Sequence, residues 1–461
     1  MHLMKTYSKS LFLFRRDLRL SDNTALNAAL SQSLEVVPAF HFNSTQTEPH
    51  SYRSEPGLRF MIQSLEALDS RLQQDNSELA IFQGPIDDVI QDWAKRLKID
   101  AVWVNRDYTP FSIKRDLALQ KTCIRYGIEF HSCSDLLLVE PEQALKKDHT
   151  PYTVFTPFYN NARTISIAKP SPLERGPGTF GLVGDNPDVR SVCATILNNL
   201  SGPNPIEGGF SAANRLLAKT PNYSQYANER DIPALEQTTG LSAHLKFGTC
   251  SPRKAYWTIS EKLGSNHPLI RQLYWRDFLT HVAFHFSKVF GHAFKDKYDS
   301  IPWENDPAKF ESWQQGATGF PIVDAGMRQL NATGFMHNRV RMIVASFLVK
   351  DLLIDWRWGE RTFAQRLVDY DPCVNNGNWQ WAASTGCDAQ PYFRIFNPWR
   401  QQERFDPNCE YIRKWIPELD HLPAKAIHRW ALSPSNADYP SPIVEHKQAS
   451  HRAKMLFEMR R

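Results

Sequence analysis

Apolar residues in the first 140 positions come in short unbroken runs: LFLF (11–14), VVPAFHF (36–42), LAIF (79–82), AVWV (101–104) and IEFH (128–131). Runs of this length, without polar alternation, predict strands covered on both faces. Between them the period changes. In LRFMIQSLEALDSRL, Leu58, Met61, Ile62, Leu65, Leu68 and Leu72 fall on one helical face. Strand–helix alternation predicts a doubly wound parallel-sheet α/β domain over residues 1–140. No GxGxxG follows the first run, so a dinucleotide grip of the Rossmann type is unsupported.

From 141 to 210 the pattern loosens into KPSPLERGPGTFGLVGDNPD and SGPNPIEGG, which read as an interdomain linker lying over the surface. Over 211–461 strand signals nearly vanish. In HNRVRMIVASFLVKDLLIDW, Val340, Ile343, Val344, Phe347 and Leu348 keep helical spacing, while His337, Asn338, Arg341 and Met342 take other faces. The expected class is therefore α/β followed by an all-α domain, without internal repeats or low-complexity tracts.

Composition narrows the chemistry. Among 461 residues are 13 Trp, 15 Tyr and 27 Phe, a load that suits a thick core or platforms for flat ligands. A formal charge of +5 hints only weakly at an anionic partner. The seven Cys are scattered, with no CxxC pair, which argues against a disulfide framework, a zinc site or an iron–sulfur cluster. The first apolar run is too short for a signal peptide, and no stretch approaches a membrane span. A reduced, soluble, cytoplasmic protein is expected.

Three stretches carry candidate chemistry. VDYDPCVNNGNWQWAAS (368–384) opens a helix at Asp371-Pro372, and Asn375 and Trp379 then share a face while Trp381 points elsewhere. In YANERDIPALEQTTGLSAHL, the hydroxyls of Thr238, Thr239 and Ser242 gather at a helix start, where a phosphate could sit. In RQLYWRDFLTHVAFHF, Gln272, Trp275 and Arg276 fall on one side. Arg339, Arg341, Arg394 and Arg400 lie beside these segments. Read singly, the same residues serve equally as caps, core packing or a solvated face.

Together they are specific. FRRDLRLSDN, TTGLSAHLKFGTCSPR, YWRDF, TGFPIVDAGMRQLNATGFMHNRVRM and DYDPCVNNGNWQWAAS resemble the photolyase/cryptochrome family in order and spacing, over nearly the whole chain. MHNRVRM with NNGNWQW is most similar to the microbial class I cyclobutane pyrimidine dimer photolyases. The resemblance implies light-dependent repair of ultraviolet-damaged DNA, in which photoexcited reduced FAD lends an electron to an extruded dimer. Tyr226, Thr238, Thr239, Leu241 and Ser242 would hold the phosphates and ribityl chain. Arg276, Asn338, Asp369 and Asp371 would line the flavin, with Asn375 facing its N5. Trp379, Trp356 and Trp303 match the family's electron relay. Trp275, Trp381 and Met342 would wall the lesion pocket, and Arg230, Arg339, Arg341, Arg394 and Gln401 would contact DNA backbone or lesion.

Two departures matter. Gln272 stands where class I enzymes usually carry a glutamate that hydrogen-bonds the dimer; an amide keeps donor and acceptor but has no proton to give. Gln here also occurs in (6-4) photolyases, which place histidines where this chain has Asn338 and Met342. The folate-antenna positions read Ser112 and Phe290-Gly291, which disfavours folate. NRDYTPF is closer to members with a deazaflavin or second flavin antenna, making Asp107 a candidate ligand. The rival readings are a (6-4) photolyase and a cryptochrome-type blue-light receptor; the latter usually extends beyond the point where this chain stops. A monomer without an obligate protein partner is expected.

Overall fold

The computed structural model describes residues 6–174, 178–184, 187–202, 206–432 and 438–459. All five apolar runs are strands: β1 (Tyr7–Phe14), β2 (Ser33–Phe42), β3 (Ala80–Gln83), β4 (Ala101–Asn105) and β5 (Glu129–Cys133). They form one parallel sheet in the order β3-β2-β1-β4-β5. Side chains of β1 alternate between two cores. Phe12 and Phe14 pack with α1 (Thr24–Gln32) and α2 (Glu55–Gln73), whereas Leu11 and Leu13 pack with Leu119 and Cys123 of α3 (Pro110–Arg125). An apolar residue is thus required at every position, which is why the runs show no alternation.

Strand order reverses at β1. β2 lies on one side and β4 on the other, so the loops leaving β1 and β4 diverge and open a crevice at the carboxyl edge of the sheet. Arg15, Arg16 and Asp17 follow β1 there, and Arg106 and Asp107 follow β4.

The stretch read as a surface linker is more structured than its Pro/Gly content suggested. It holds α4 (Phe155–Ala162), α5 (Val189–Leu197) and the two-residue strand Thr179–Phe180, which pairs with β2. Phe155, Phe158 and Ala162 are buried at helical spacing, and α5 packs on α2. Turn residues between such short amphipathic pieces masked them. Residues 175–177, 185–186 and 203–205 of this stretch lie outside the described residues.

Beyond Phe210 the described chain is helical. The elements that build the site are α6 (Ser242–Phe247), α7 (Pro268–His285), α8 (Pro307–Gln315), α9 (Asn338–Ser346), α10 (Trp356–Arg366) and α11 (Pro372–Ala383). α11 packs against α7, α9 and α10. Val340, Ile343, Val344, Phe347 and Leu348 are all fully buried, although the helix that carries them changes to a π turn over Phe347–Asp351. His337 caps α9: its ring accepts the Arg339 N–H at 3.2 Å.

Two buried charge junctions join the halves. In one, Arg19 and Arg253 share Asp135 at 2.5 and 2.7 Å, and Arg253 also reaches Asp22 at 3.1 Å. The other, around Arg16, reaches the candidate site. Gly248, just past α6, fits between them with φ +68°; its carbonyl accepts Arg19 Nη1 at 3.0 Å, and a Cβ would strike the Arg16 carbonyl and the Asp17 Cα. Gly248→Ala combines left-handed strain with overpacking and is expected to destabilise the protein by about 2–4 kcal/mol. A thermal melt checks this by a Tm several degrees below that of the parent chain.

Candidate functional site

α11 starts where its sequence dictates. Asp371 accepts the N–H groups of Cys373 at 3.0 Å and Val374 at 3.1 Å, and Pro372 occupies the first helical position. One turn on, Asn375 and Trp379 are both buried, and Asn375 donates its amide to the Glu360 carbonyl at 3.0 Å. The Trp379 indole lies directly on Gly359 of α10, where any Cβ would collide with its ring. Gly359 was missed in the sequence, although a glycine inside a helical run was a usable signal of close approach.

Trp381 points to another side and, with Trp275 of α7, lines a small cavity that also touches Leu279, Gly377 and Asn378. One face of Trp275 is covered by Phe155 of α4, stacked at 3.6 Å and 7°. Phe155 is a second contributor that the sequence did not single out.

Charge ties this helix to the sheet. Arg16 binds the Asp371 carboxylate and, at 3.1 Å, Asp107. Burial alone would raise Asp107, but Arg16, Arg115 and Lys246 hold it down to about 2. Against the same opposing burial, Arg16, Lys246 and Arg276 hold Asp371 well below the usual carboxylate range. Burial and the neighbouring Arg16 push Lys246 down to about 8, with Asp371 and Asp107 opposing. The Arg276 guanidinium, also lowered by burial, donates to the carbonyls of Leu136 at 2.7 Å and Leu245 at 3.3 Å. Asp107 further accepts the Tyr108 N–H at 2.8 Å and the Ser112 hydroxyl at 3.1 Å. The antenna candidate therefore sits at the domain junction with both oxygens engaged.

Arg341, expected at the DNA backbone or lesion, grips Asp369 with two hydrogen bonds of 3.1 and 2.9 Å and so fixes a residue expected beside the flavin. Arg339 pairs with Asp231 at 2.8 Å and lies over Phe405. Arg230 lies 5.5 Å over buried Tyr226 and 3.6 Å from Asp231. Tyr226 and Leu241 share a core cluster with Leu273 and Tyr274 of α7. Thr238 and Thr239 are half-buried and Ser242 is exposed, around Gly240 at φ +66°. Asn338 is exposed, with its amide 3.9 Å from the Met342 sulfur. Gln272 is half-buried and Arg394 exposed, while Gln401 Oε1 is buried without a partner. Trp356 is fully buried and Trp303 half-buried against Phe457; neither indole N–H has an acceptor.

This donor set fits a flavin nucleotide. An isoalloxazine edge needs both donors and acceptors, and the side chains of Arg276, Asn375 and Asp371 carry both kinds. A pyrophosphate suits hydroxyls beside a backbone at positive φ, as in the segment from Thr238 to Ser242. Among the described residues no group of three or more His, Cys, Asp or Glu side chains could hold a metal.

Asp277, beside Arg276, carries a testable cost. It is buried; its Oδ2 accepts the N–H groups of Leu138 and Val139 at 2.9 and 3.1 Å, and its Oδ1 lies 3.7 Å from Arg276 Nη1 without a hydrogen bond. Burial raises it to about 7, against the opposing pull of Arg276. The folded protein then holds a proton that the unfolded chain releases near pH 4, so stability falls as pH rises from about 4 to about 7. Asn keeps the acceptor for both N–H groups and removes the charge. Asp277→Asn is expected to raise Tm at pH 8 and to leave it nearly unchanged at pH 4, as melts at the two pH values will report.

Comparison with known proteins agrees with this arrangement. Residues 10–175 match the family profile described as DNA photolyase, and residues 269–459 match the FAD binding domain of DNA photolyase. A deoxyribodipyrimidine photo-lyase of Alkalihalophilus pseudofirmus is 39% identical, covering 96% of this chain and 97% of its own length. The crystal structure of an archaeal photolyase from Sulfolobus tokodaii with two FAD molecules is 42% identical, with a TM-score of 0.89 over 98% of this chain and all of its own. A class III photolyase from Agrobacterium tumefaciens is 34% identical, with a TM-score of 0.91 over the whole of this chain and 99% of its own.

Proposed function

This chain belongs to the DNA photolyase family, and from that premise we infer that it is a deoxyribodipyrimidine photo-lyase, splitting cyclobutane pyrimidine dimers in ultraviolet-damaged DNA under blue light. The observation that carries the reading is the two-sided use of α11. Asn375 and Trp379 are buried on one side, while Trp381 on another shares a cavity with Trp275. FAD, when bound in its reduced state, supplies the photoexcited electron that opens the cyclobutane ring and is then returned.

The chain's own residues bind, orient and screen. Arg276, Asp371 and the Asp369 carboxylate fixed by Arg341 would hold the ring, with Asn375 offering its amide at N5. Tyr226, Thr238, Thr239, Leu241 and Ser242 would take the phosphates and ribityl chain. Asn338 would close the pocket beside Met342. Trp275, Trp381 and Met342 would receive the extruded pyrimidines, whose weak pairing makes extrusion cheaper than for intact bases. Gln272 would hydrogen-bond the lesion, and Arg230, Arg339, Arg341, Arg394 and Gln401 would contact the DNA backbone or lesion. Trp379, Trp356 and Trp303 would carry electrons inward to an oxidised cofactor.

Asn338 and Met342, in place of histidines, favour the cyclobutane lesion over the (6-4) product. The second chromophore we propose is a flavin or deazaflavin; the two FAD molecules of the Sulfolobus tokodaii relative support that class. No helix among the described residues is long and apolar enough to cross a membrane, and we propose a cytoplasmic monomer.

Oligonucleotides carrying either lesion, illuminated with purified holoprotein, test the reading: the cyclobutane dimer should be restored and the (6-4) product left intact. The opposite pattern would reassign the substrate. Gln272→Glu should retain or improve repair, and its complete loss would remove that side chain from the lesion contact. Affinity for dimer-containing DNA should fall steeply between 50 and 200 mM salt, since each phosphate that an arginine neutralises adds about 0.9 to the log–log slope; a flat response would contradict the arginine contacts.

A further inference from the structure

Trp275 is one end of an aromatic shelf that leads away from the cavity it shares with Trp381. Phe155, buried in α4, stacks on it at 3.6 Å and 7°, and Tyr159, one helical turn along α4, stacks on Phe155 at 5.8 Å and 17°. Phe278 of α7 meets Trp275 and Phe155 edge-on at 5.8 and 5.7 Å, which restrains both ring planes. The start of α4 is fixed beside the loop after α11, because Asp388 accepts the Phe155 N–H at 2.9 Å and itself lines the cavity.

A cation rests on this shelf. Arg271, exposed and one turn before Trp275 on the same face of α7, lies 5.1 Å over the ring of Phe155 and 5.1 Å over that of Tyr159. Among the described residues its guanidinium has no carboxylate partner, unlike Arg230, Arg339 and Arg341, which pair with Asp231 or Asp369. Gln272, next to it in α7, adds no opposing charge. Arg163, the other cation over Tyr159, donates to Asn266 at 3.1 Å. A guanidinium that lies over rings has given up part of its rotamer freedom and is weakly hydrated, while its N–H groups stay available to an anion. Phosphate, whose oxygens accept paired N–H bonds, is the anion such a group suits.

We propose that Arg271 binds a phosphate of the damaged strand and that Phe155 is the positioning residue that sets this contact in register with the extruded dimer. Phe155 touches both Trp275 and Arg271. It closes one face of the indole, leaving the other for a pyrimidine, and it holds the guanidinium at a fixed distance from that indole. One strand then engages both, with its bases on Trp275 and its backbone on Arg271. The proposal rests on Trp275 receiving the lesion. It adds a contact that reads no sequence but fixes where along the strand the pocket opens.

The test is binding of holoprotein to duplexes with and without a single cyclobutane dimer, titrated between about 50 and 200 mM salt. Arg271→Gln, at an exposed position where folding is not at risk, should lower the log–log salt slope by about 0.9 with either duplex, the share of one neutralised phosphate. Phe155→Leu, measured well below its own Tm, should lower the slope by the same amount. It should also reduce the parent's preference for the dimer duplex by at least about fivefold, as the stacking surface loosens. Combining the two substitutions should lower the slope no further than either does alone. FAD content and Tm equal to the parent's certify the Arg271→Gln protein. An unchanged slope in Arg271→Gln would overturn the phosphate contact, and slopes that fall additively in the double variant would overturn the positioning by Phe155. A parent chain with no preference for the dimer duplex would overturn instead the reading on which the proposal rests.

Discussion

A carboxylate taken out of water survives as a charge only where cations and N–H groups replace the water, and Asp371 is built on that condition. Two backbone N–H groups of α11 bind one oxygen, Arg16 from the sheet domain binds the other, and Lys246 and Arg276 add their fields. One side chain thereby starts the central helix, ties the two halves together and places negative charge at the edge proposed for the flavin. With Asp107 on the far side of Arg16, four cations, Arg16, Lys246, Arg276 and Arg115, face two carboxylates. The surplus positive charge suits a ring that becomes anionic on reduction.

From that anchor the rest of α11 is a matter of spacing. One turn beyond the cap comes Asn375, another turn brings Trp379, and Trp381 turns away toward the cavity shared with Trp275. Close packing does the remainder: Gly359 lets α10 touch the Trp379 ring, and Gly377 lets α11 approach Leu279 of α7. Electron transfer between indoles and stacking on bases both depend on contacts of a few ångströms. A core at native packing density holds such geometry without dedicated polar groups.

The sheet was legible because its central strands are buried on both faces and therefore read as short unbroken apolar runs such as LFLF and AVWV. The start of α11 was legible because Asp-Pro is cap chemistry in two residues. Longer-range matters were not. That Arg341 pairs with Asp369 depends on how two segments meet in space, and nothing in MHNRVRM specifies it. Arg16 lies 355 positions from its partner Asp371, and no local pattern announces that pairing. The α4 and α5 helices were hidden by the Pro and Gly between them.

Both the junction and the cofactor edge turn on the charge of Asp371, and FAD affinity of the Asp371→Asn protein isolates it. Asn caps a helix as well as Asp does, so α11 should still form and the circular dichroism spectrum should be unchanged. Apoprotein titrated with FAD should then bind at least about tenfold more weakly than the parent chain, the loss of one charge-assisted hydrogen bond. Equal affinity in the two proteins would show that the buried carboxylate neither organises the junction nor faces the cofactor.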